Sequence, residues 1–428
     1  MAPSQPSADP VTASVAGPAD VPRADGATAD ASAAAAAGTR SPLYTVPFVG
    51  VLVVTFLVFA QNFIIQPVIP LLVLDHGGDA ALVGIVFAVF SIPSVVLRPW
   101  IGRLADRFGA RRILLAGTLG LAAAGPAYLT GSLPAIVANR VLHGTAWAAV
   151  NTGGPSLMAR LAPPTRRGEA AGMFDLMPGV AQLVLPSIGL LVYGAAGSSA
   201  VFGIAALLGL AAAGVLLATL PRSAPAGRPA PTSTSRSLLE PAAVLPMTFQ
   251  LMFTFVVSLF LVYPPVLAAE RGIPVADLAI YYPVYGLTLV AVRAVTGRVI
   301  DRLPRMLLIG GGAAVAIVAL LIASVAGSVP VLVLAGALYA AAAGFSSPAM
   351  MAVVIDRTPQ DRLGSAMATY TLGFQFGSGI GAAVWGFVIA GSGFAPAFLL
   401  GAVIELALLG LLARSGRGLR RAIPGAAG

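Results

Sequence analysis

From about Pro42 onward, polar positions gather in short clusters, and the stretches between them are almost wholly apolar, each roughly 20 residues long. A helix rises ~1.5 Å per residue, so one such stretch crosses a ~30 Å hydrocarbon core. Twelve are predicted, centred near Leu57, Val89, Leu121, Trp147, Val180, Leu208, Phe255, Leu287, Val318, Ala340, Gly377 and Leu406. Residues 1–41 are different: rich in Ala, Pro, Ser and Asp, they have no aromatic and lack the basic start and apolar core of a signal peptide. They predict a disordered cytoplasmic tail. A Pro-, Ser-, Thr- and Arg-rich stretch at 221–241 is the one long internal loop. It divides a bundle at 42–220 from a second at 242–414, which a short cytoplasmic tail at 415–428 follows.

Composition excludes a soluble protein. The chain is 58% hydrophobic and 10% charged, with a mean hydropathy of +0.92, where globular domains carry about 25% charged residues. The net charge of +9 would point to nucleic acid in a soluble protein, but its placement points to a bilayer. Every basic residue is Arg. Those in loops lie on alternate connections: Arg103, Arg107, Arg111 and Arg112, then Arg160, Arg166 and Arg167, and so on to Arg414 and beyond. Only Arg271 falls on the other side, while Arg98, Arg140 and Arg293 lie within spans. Positive charge is retained on the cytoplasmic face, so both termini are expected there and no nucleic-acid partner is. With no cysteine, neither disulfides nor thiolate metal sites arise.

The two halves repeat. Arg98-x3-Gly102-Arg103-x2-Asp106-Arg107 recurs as Arg293-x3-Gly297-Arg298-x2-Asp301-Arg302, and Arg166-x-Gly168-x-Ala170 recurs as Arg362-x-Gly364-x-Ala366. The fold expected is all-α: a polytopic membrane protein with twelve transmembrane helices in two pseudo-symmetric six-helix bundles, binding a ligand between them near the midplane. Paired prolines at Pro67 and Pro70 in span one, and Pro264 and Pro265 in span seven, mark either moving elements or simple packing kinks.

From about Thr45 to Arg414 the chain resembles the major facilitator superfamily. Gly102 to Arg112 is similar to that family's loop motif between spans two and three, and Gly297 to Arg305 is a reduced copy with Pro304 where Gly is usual. Arg140-x3-Gly144 is similar to a span-four motif whose Arg the family implicates in proton coupling. In span five, Gly172, Ala181, Leu185, Pro186 and Gly189 occupy the register of the Gly/Pro pattern of drug:proton antiporters, with Ala and Leu at two Gly places. The resemblance implies that spans one, four, seven and ten line the cavity, and that span five faces span eight.

A charge inside a span is costly unless partnered. Asp175 and Arg293 are therefore expected to pair as a cytoplasmic gate, with Arg98 facing Thr371 across the second seam; the alternative is that both Arg side chains snorkel to lipid phosphates. Asp106 and Asp301 are expected to dock on the positive N-terminal ends of spans eleven and five, latching the halves, or else their loops only anchor topology. Gly102, Arg107, Gly297 and Arg302 belong to the same gate. Candidates for the substrate or proton pathway are Asn62, Gln66, Arg140, His143, Asn151 and Tyr263, supplemented by Gln61, Gln250, Thr254, Ser258, Tyr339, Ser346 and Ser347. Neutral amides and hydroxyls around one Arg suit a neutral, zwitterionic or anionic metabolite better than an organic cation. Glu405, in peripheral span twelve, is expected to be protonated or paired.

The expected function is secondary active transport: proton-coupled export, an antiporter of the bacterial inner membrane acting as a monomer on a small molecule. A proton-coupled importer of a sugar-like or organic-acid nutrient is the alternative, and a non-transporting membrane sensor is the alternative of another class. No ATP-binding loop, HExxH or Gly-x-Ser-x-Gly motif is present, so no enzyme, cofactor or metal is expected. The partners expected are the substrate, protons and the lipid bilayer.

Overall fold

The computed structural model describes residues 42–220, 240–300, 302–359 and 362–419. The N-terminal tail, most of the 221–241 linker, Asp301 and the last nine residues lie outside the described residues. All regular structure among the described residues is helical. Span one is two helices, Val46–Ile65 and Val68–Asp75, broken at Gln66–Pro67. Span seven is broken at the matching place, between Pro241–Leu261 and Pro264–Glu270. Proline lacks an amide proton and collides with the preceding turn, so each break follows from the sequence. Span two bends by 46° between Ala80–Val96 and Arg98–Phe108.

Among the described residues, nine helices are long and apolar enough to cross a bilayer, and the bent span two makes ten. The 53-residue helix Arg167–Thr219 contains the expected spans five and six, joined at Gly197, whose φ of 75° breaks the helical path. Its neighbours show the reversal. Glu169 meets Tyr44 at the start of span one, Gly189 packs on Ile64 at the far end of that span, and Thr219 returns to Gly50 near the start. The remaining helix, Leu133–Leu161, is span four; its Arg140, His143 and Asn151 lower its hydropathy, not its reach. Spans three, eight, nine, ten, eleven and twelve are Ala110–Ala127, Tyr281–Val299, Arg305–Ser324, Val329–Arg357, Leu363–Ser392 and Phe394–Leu419. Span twelve runs five residues beyond the expected boundary at Arg414.

The apolar cores are arranged unequally. At the Arg-rich end each bundle has its own: Leu43, Phe48, Leu157 and Leu220 in the first, and Ala243, Phe249, Leu308 and Leu412 in the second. At the opposite end a single core is common to both, with Ile65, Val68 and Phe202 continuous with Tyr263, Tyr281 and Trp385. The bundles are fused at one end only.

Candidate functional site

Three contacts between the bundles make the fused end. Spans two and eleven meet through small residues, Ala80 against Gly386, Gly84 against Ala382 and Ala383, and Ser91 against Gly379. Spans five and eight meet where Ser187 Oγ donates to the Ala279 carbonyl at 2.7 Å and Leu183 lies against Gly286. The short second helices of spans one and seven touch each other. Helices lacking a hydrophobic drive between them associate where small residues let backbones approach closely, as here. Tyr263 is fully buried beneath this seam, its hydroxyl donating to the Ala382 carbonyl between Gly84 and Gly386. It therefore belongs to the closed end, a role that its place in span seven did not reveal.

Toward the Arg-rich end the same helices part. Asp175 and Arg293 are both exposed, and neither forms an ion pair with a described residue. Counting from the Leu183–Gly286 contact, Asp175 lies eight residues and Arg293 seven residues inward, about 12 Å and about 10 Å along their helices. They stand at nearly equal depth across the gap. On the other seam, Arg98 and Thr371 are similarly placed inward of Ser91 and Gly379. Arg98 is half-buried and turns Nε to the Ser94 carbonyl of its own helix at 3.1 Å.

The first loop motif is likewise unlatched, while Asp301 of the second lies outside the described residues. Asp106, Arg107 and Arg302 are exposed, and an added methyl at Gly102 or Gly297 would meet nothing within 4 Å. Arg98–Phe108 packs against spans three and four of its own bundle. The dock expected for Asp106 is held from within the second bundle: the Glu240 carboxylate lies 3.6 Å from Arg362, at the start of span eleven, and its amide donates to Thr369. At the start of span five, Glu169 pairs with Arg166 at 2.7 Å. Arg111 has a different task, donating to the Leu220 carbonyl at the exposed negative end of span six.

Arg140 is 2% exposed and enclosed by its own bundle. Nε donates to the Val86 carbonyl at 3.0 Å and Nη1 to the Tyr128 hydroxyl at 3.2 Å, with His143 Nδ1 at 3.3 Å. The guanidinium lies over the rings of Phe87 and Phe90, 5.0 and 4.4 Å from their centroids. Acceptors and ring faces thus replace a counter-ion. His143 Nδ1 also lies 3.0 Å from the Tyr128 hydroxyl, and its Nε2 is buried with no hydrogen-bond partner among the described residues. Sequence spacing placed Arg140 beside His143; that Tyr128 from span three and two Phe from span two complete the box depends on packing.

Half-buried Asn62 and Gln66 share a face of span one with Phe59, which packs on Trp147 of span four at 4.8 Å. Asn62 lies about one turn outward of that ring contact, and Asn151 about one turn inward on span four. The amides of Asn62 and Gln66 have no protein partner among the described residues, whereas Asn151 donates to the Trp147 carbonyl. Several other polar candidates serve the bundles' interiors. Gln61 donates to Leu121, Gln250 accepts from Tyr370 at 2.5 Å, Thr254 reaches Gly373, and the Tyr339 hydroxyl lies within hydrogen-bond distance of the Phe253 carbonyl and the Glu405 carboxyl. A hydroxyl or amide in an apolar bundle takes the nearest carbonyl, which is why these do not line the gap. Among the described residues no group of three or more His, Asp or Glu is placed to hold a metal ion.

A wholly helical chain whose apolar core is common at one end and divided at the Arg-rich end, with Asp175 and Arg293 exposed there, has the form of a membrane carrier. The chain belongs to the Major Facilitator Superfamily, whose family model matches residues 51–328 and 251–426. Members of this family move solutes and do not catalyse reactions on them. The tetracenomycin C resistance and export protein of Streptomyces glaucescens is 37% identical over 121 residues, 28% of this chain and 22% of that protein. The staphylopine export protein of Staphylococcus aureus is 26% identical over 153 residues, 35% and 38% of the two chains. The quinolone resistance protein NorA of the same species is 24% identical over 135 residues, 31% and 35% of the two. The chain thus aligns with well under half the length of each. A bacterial homologue of the human lysosomal transporter Spinster, solved inward-facing and occupied, superposes with a TM-score of 0.72 at 15% identity over 89% of this chain and 98% of that one. The D-xylose–proton symporter gives 0.70 at 16% identity over 85% and 96%. Both likenesses concern the fold.

Proposed function

We propose that this protein exports a small neutral, zwitterionic or anionic organic molecule in exchange for protons, by rocking its two bundles about a central chamber. The observation that carries the proposal is the asymmetry of the cores: one shared at the end poor in Arg, two separate at the Arg-rich end. By the positive-inside rule the Arg-rich end faces the cytoplasm, so the chamber is open inward and both termini are cytoplasmic. Asp175 and Arg293, unpaired at equal depth, close that end in the opposite state, and Asp106 then moves toward span eleven, into the space left beside Gly102. The export direction draws on the names of the relatives, which are resistance and export proteins. Asn62, Gln66 and Asn151, with Trp147 between them, are the polar surface offered to the substrate. Arg140 and His143 lie behind it, setting a positive potential from within the first bundle.

Inverted membrane vesicles carrying the chain test this directly. A panel of candidate metabolites should include one that accumulates when an inward-acid pH gradient is imposed and leaks away when a protonophore is added. Accumulation indifferent to the protonophore sinks the coupling; accumulation only in right-side-out vesicles makes the protein an importer.

A further inference from the structure

Glu405 is 0% exposed in span twelve, on the face turned into the second bundle. Its surroundings hold no counter-charge. Four residues earlier, Gly401 packs on Leu320 of span nine and on Leu259 and Val256 of span seven, all apolar. Span ten contributes Tyr339, whose hydroxyl is 3.2 Å from Glu405 Oε1 and 3.1 Å from the Phe253 carbonyl of span seven. Behind Tyr339, Tyr285 of span eight lies within electrostatic range of it and of Arg293. No Arg, His, Asp or other Glu among the described residues forms an ion pair or hydrogen bond with the Glu405 carboxyl, and Oε2 has no hydrogen-bond partner among them.

A count of protons decides what this arrangement can be. Tyr339 has one hydroxyl proton and two acceptors in reach. If Glu405 carries a proton, it donates to the Tyr339 oxygen, and Tyr339 donates to Phe253; every close contact is then a hydrogen bond. If Glu405 is ionised, a buried charge is left with one donor and a bare second oxygen, which costs several kcal/mol in such a medium. Tyr339 also lies stacked between Phe253 and Phe260, with ring centroids at 5.4 and 4.3 Å. Both belong to span seven, and Phe260 stands three residues before Tyr263, where that span is broken.

We propose that Glu405 is the proton-carrying group of the second bundle, loaded from the external side, held through to the inward-open state, and discharged there through Tyr339 to the cytoplasmic side when span seven moves on substrate binding. The inference rests on the proton-coupled reading above and names its carrier. In the discharge step the Glu405 O–H bond breaks and its proton passes to the Tyr339 oxygen, while the Tyr339 proton leaves to a water molecule admitted beside Phe260. The products are a hydronium ion and a carboxylate that now accepts from Tyr339. Reloading from external water, in the outward-open state, reverses the step.

The test uses the full chain in proteoliposomes, with Ser187→Cys as reporter in a protein that otherwise has no cysteine. Ser187 is buried in the seam between spans five and eight, so its labelling by a maleimide reports opening of the fused end. Labelling, divided at each pH by that of the same protein unfolded in SDS so that ionisation of the thiol itself cancels, is compared for the parent, Glu405→Gln and Glu405→Asp. Expected are a rise with pH in the parent approaching about tenfold per pH unit, the limit for one linked proton, a flat profile for Glu405→Gln, and a restored but displaced slope for Glu405→Asp. Infrared difference spectra across a pH jump should show loss of a protonated-carboxyl band that Glu405→Gln lacks. A parent profile that rises and a Glu405→Gln profile that rises with it, with the band intact, overturn the inference alone. A flat parent profile overturns the proton-coupled reading and the inference together. Should Glu405→Gln fail to fold, the displaced slope of Glu405→Asp carries the test, and an undisplaced one overturns the proposal.

Discussion

The small-residue seam between spans two and eleven sets the balance between conformations, and Gly84→Ala measures how strongly. A Cβ at Gly84 would lie 2.5 Å from the Ala382 carbonyl oxygen, 2.9 Å from the Tyr263 hydroxyl and 3.0 Å from the Ala383 Cα. None of the three can step aside cheaply, since two are helix backbone and the third is held by its own hydrogen bond to Ala382. Overpacking of this kind costs about 1–3 kcal/mol. In the state where spans two and eleven part at this end, the methyl meets no such wall. The gain in helix propensity from Gly to Ala, up to ~1 kcal/mol, is common to both states and cancels. The outward-open population should therefore rise by about 5- to 150-fold. Maleimide labelling of Ser187→Cys, on the other seam, should rise in proportion, because rigid bundles open both seams together. Gly203→Ala, where an added methyl meets nothing within 4 Å, is the control. Labelling of the Gly84→Ala protein at the control rate, in protein with unchanged melting, would refute the claim that close packing at this seam holds the inward-open state.

Four further outcomes follow from the geometry. Tyr263→Phe removes one hydrogen bond between spans seven and eleven, inside the second bundle; at the ~0.6 kcal/mol average for membrane interiors it should lower stability in a detergent melt by about that much and leave Ser187→Cys labelling unchanged, the bond being common to both conformations. Cysteines at Asp175 and Arg293 should cross-link faster in the Gly84→Ala background, since opening one end closes the other; slower cross-linking contradicts rocking. Asp175→Asn should slow transport about 5- to 150-fold, if the closed-state ion pair is worth ~1–3 kcal/mol, with expression little changed, and the Asp175→Arg, Arg293→Asp swap should recover part of the loss. Equal falls in transport and expression would make Asp175 a folding residue. Arg140→Ala leaves Val86, Tyr128 and His143 without their donor and opens a void, so a loss of about 3 kcal/mol or more in stability is expected. An unaltered melting curve in detergent would show that the guanidinium does not hold spans two, three and four together.

Much was legible before the structure, and its limits are instructive. The breaks of spans one and seven were written in Pro67 and Pro264, because proline acts on its own backbone whatever surrounds it. The reversal at Gly197 was visible only as a gap between hydrophobic centres. The Asp175–Arg293 relation was readable as two charges in need of company, yet both are exposed and without an ion pair among the described residues, because water can solvate each separately. Gln250, Thr254 and Tyr339 could not be sorted from Asn62 and Gln66 by sequence. All are polar residues in apolar helices, and which neighbour takes up the hydrogen bond is a matter of helix rotation.

The sequence alone decided the solvent, the wholly helical build, the twofold repeat and the alternate loops that bear positive charge, since these depend on composition and on spacings of one turn or one bilayer. Tertiary structure alone decided which end is shut, where Glu405 finds Tyr339 and how Arg140 does without a counter-ion. Those facts join residues tens to hundreds of positions apart, and distance along a chain carries no information about contact until the helices have packed.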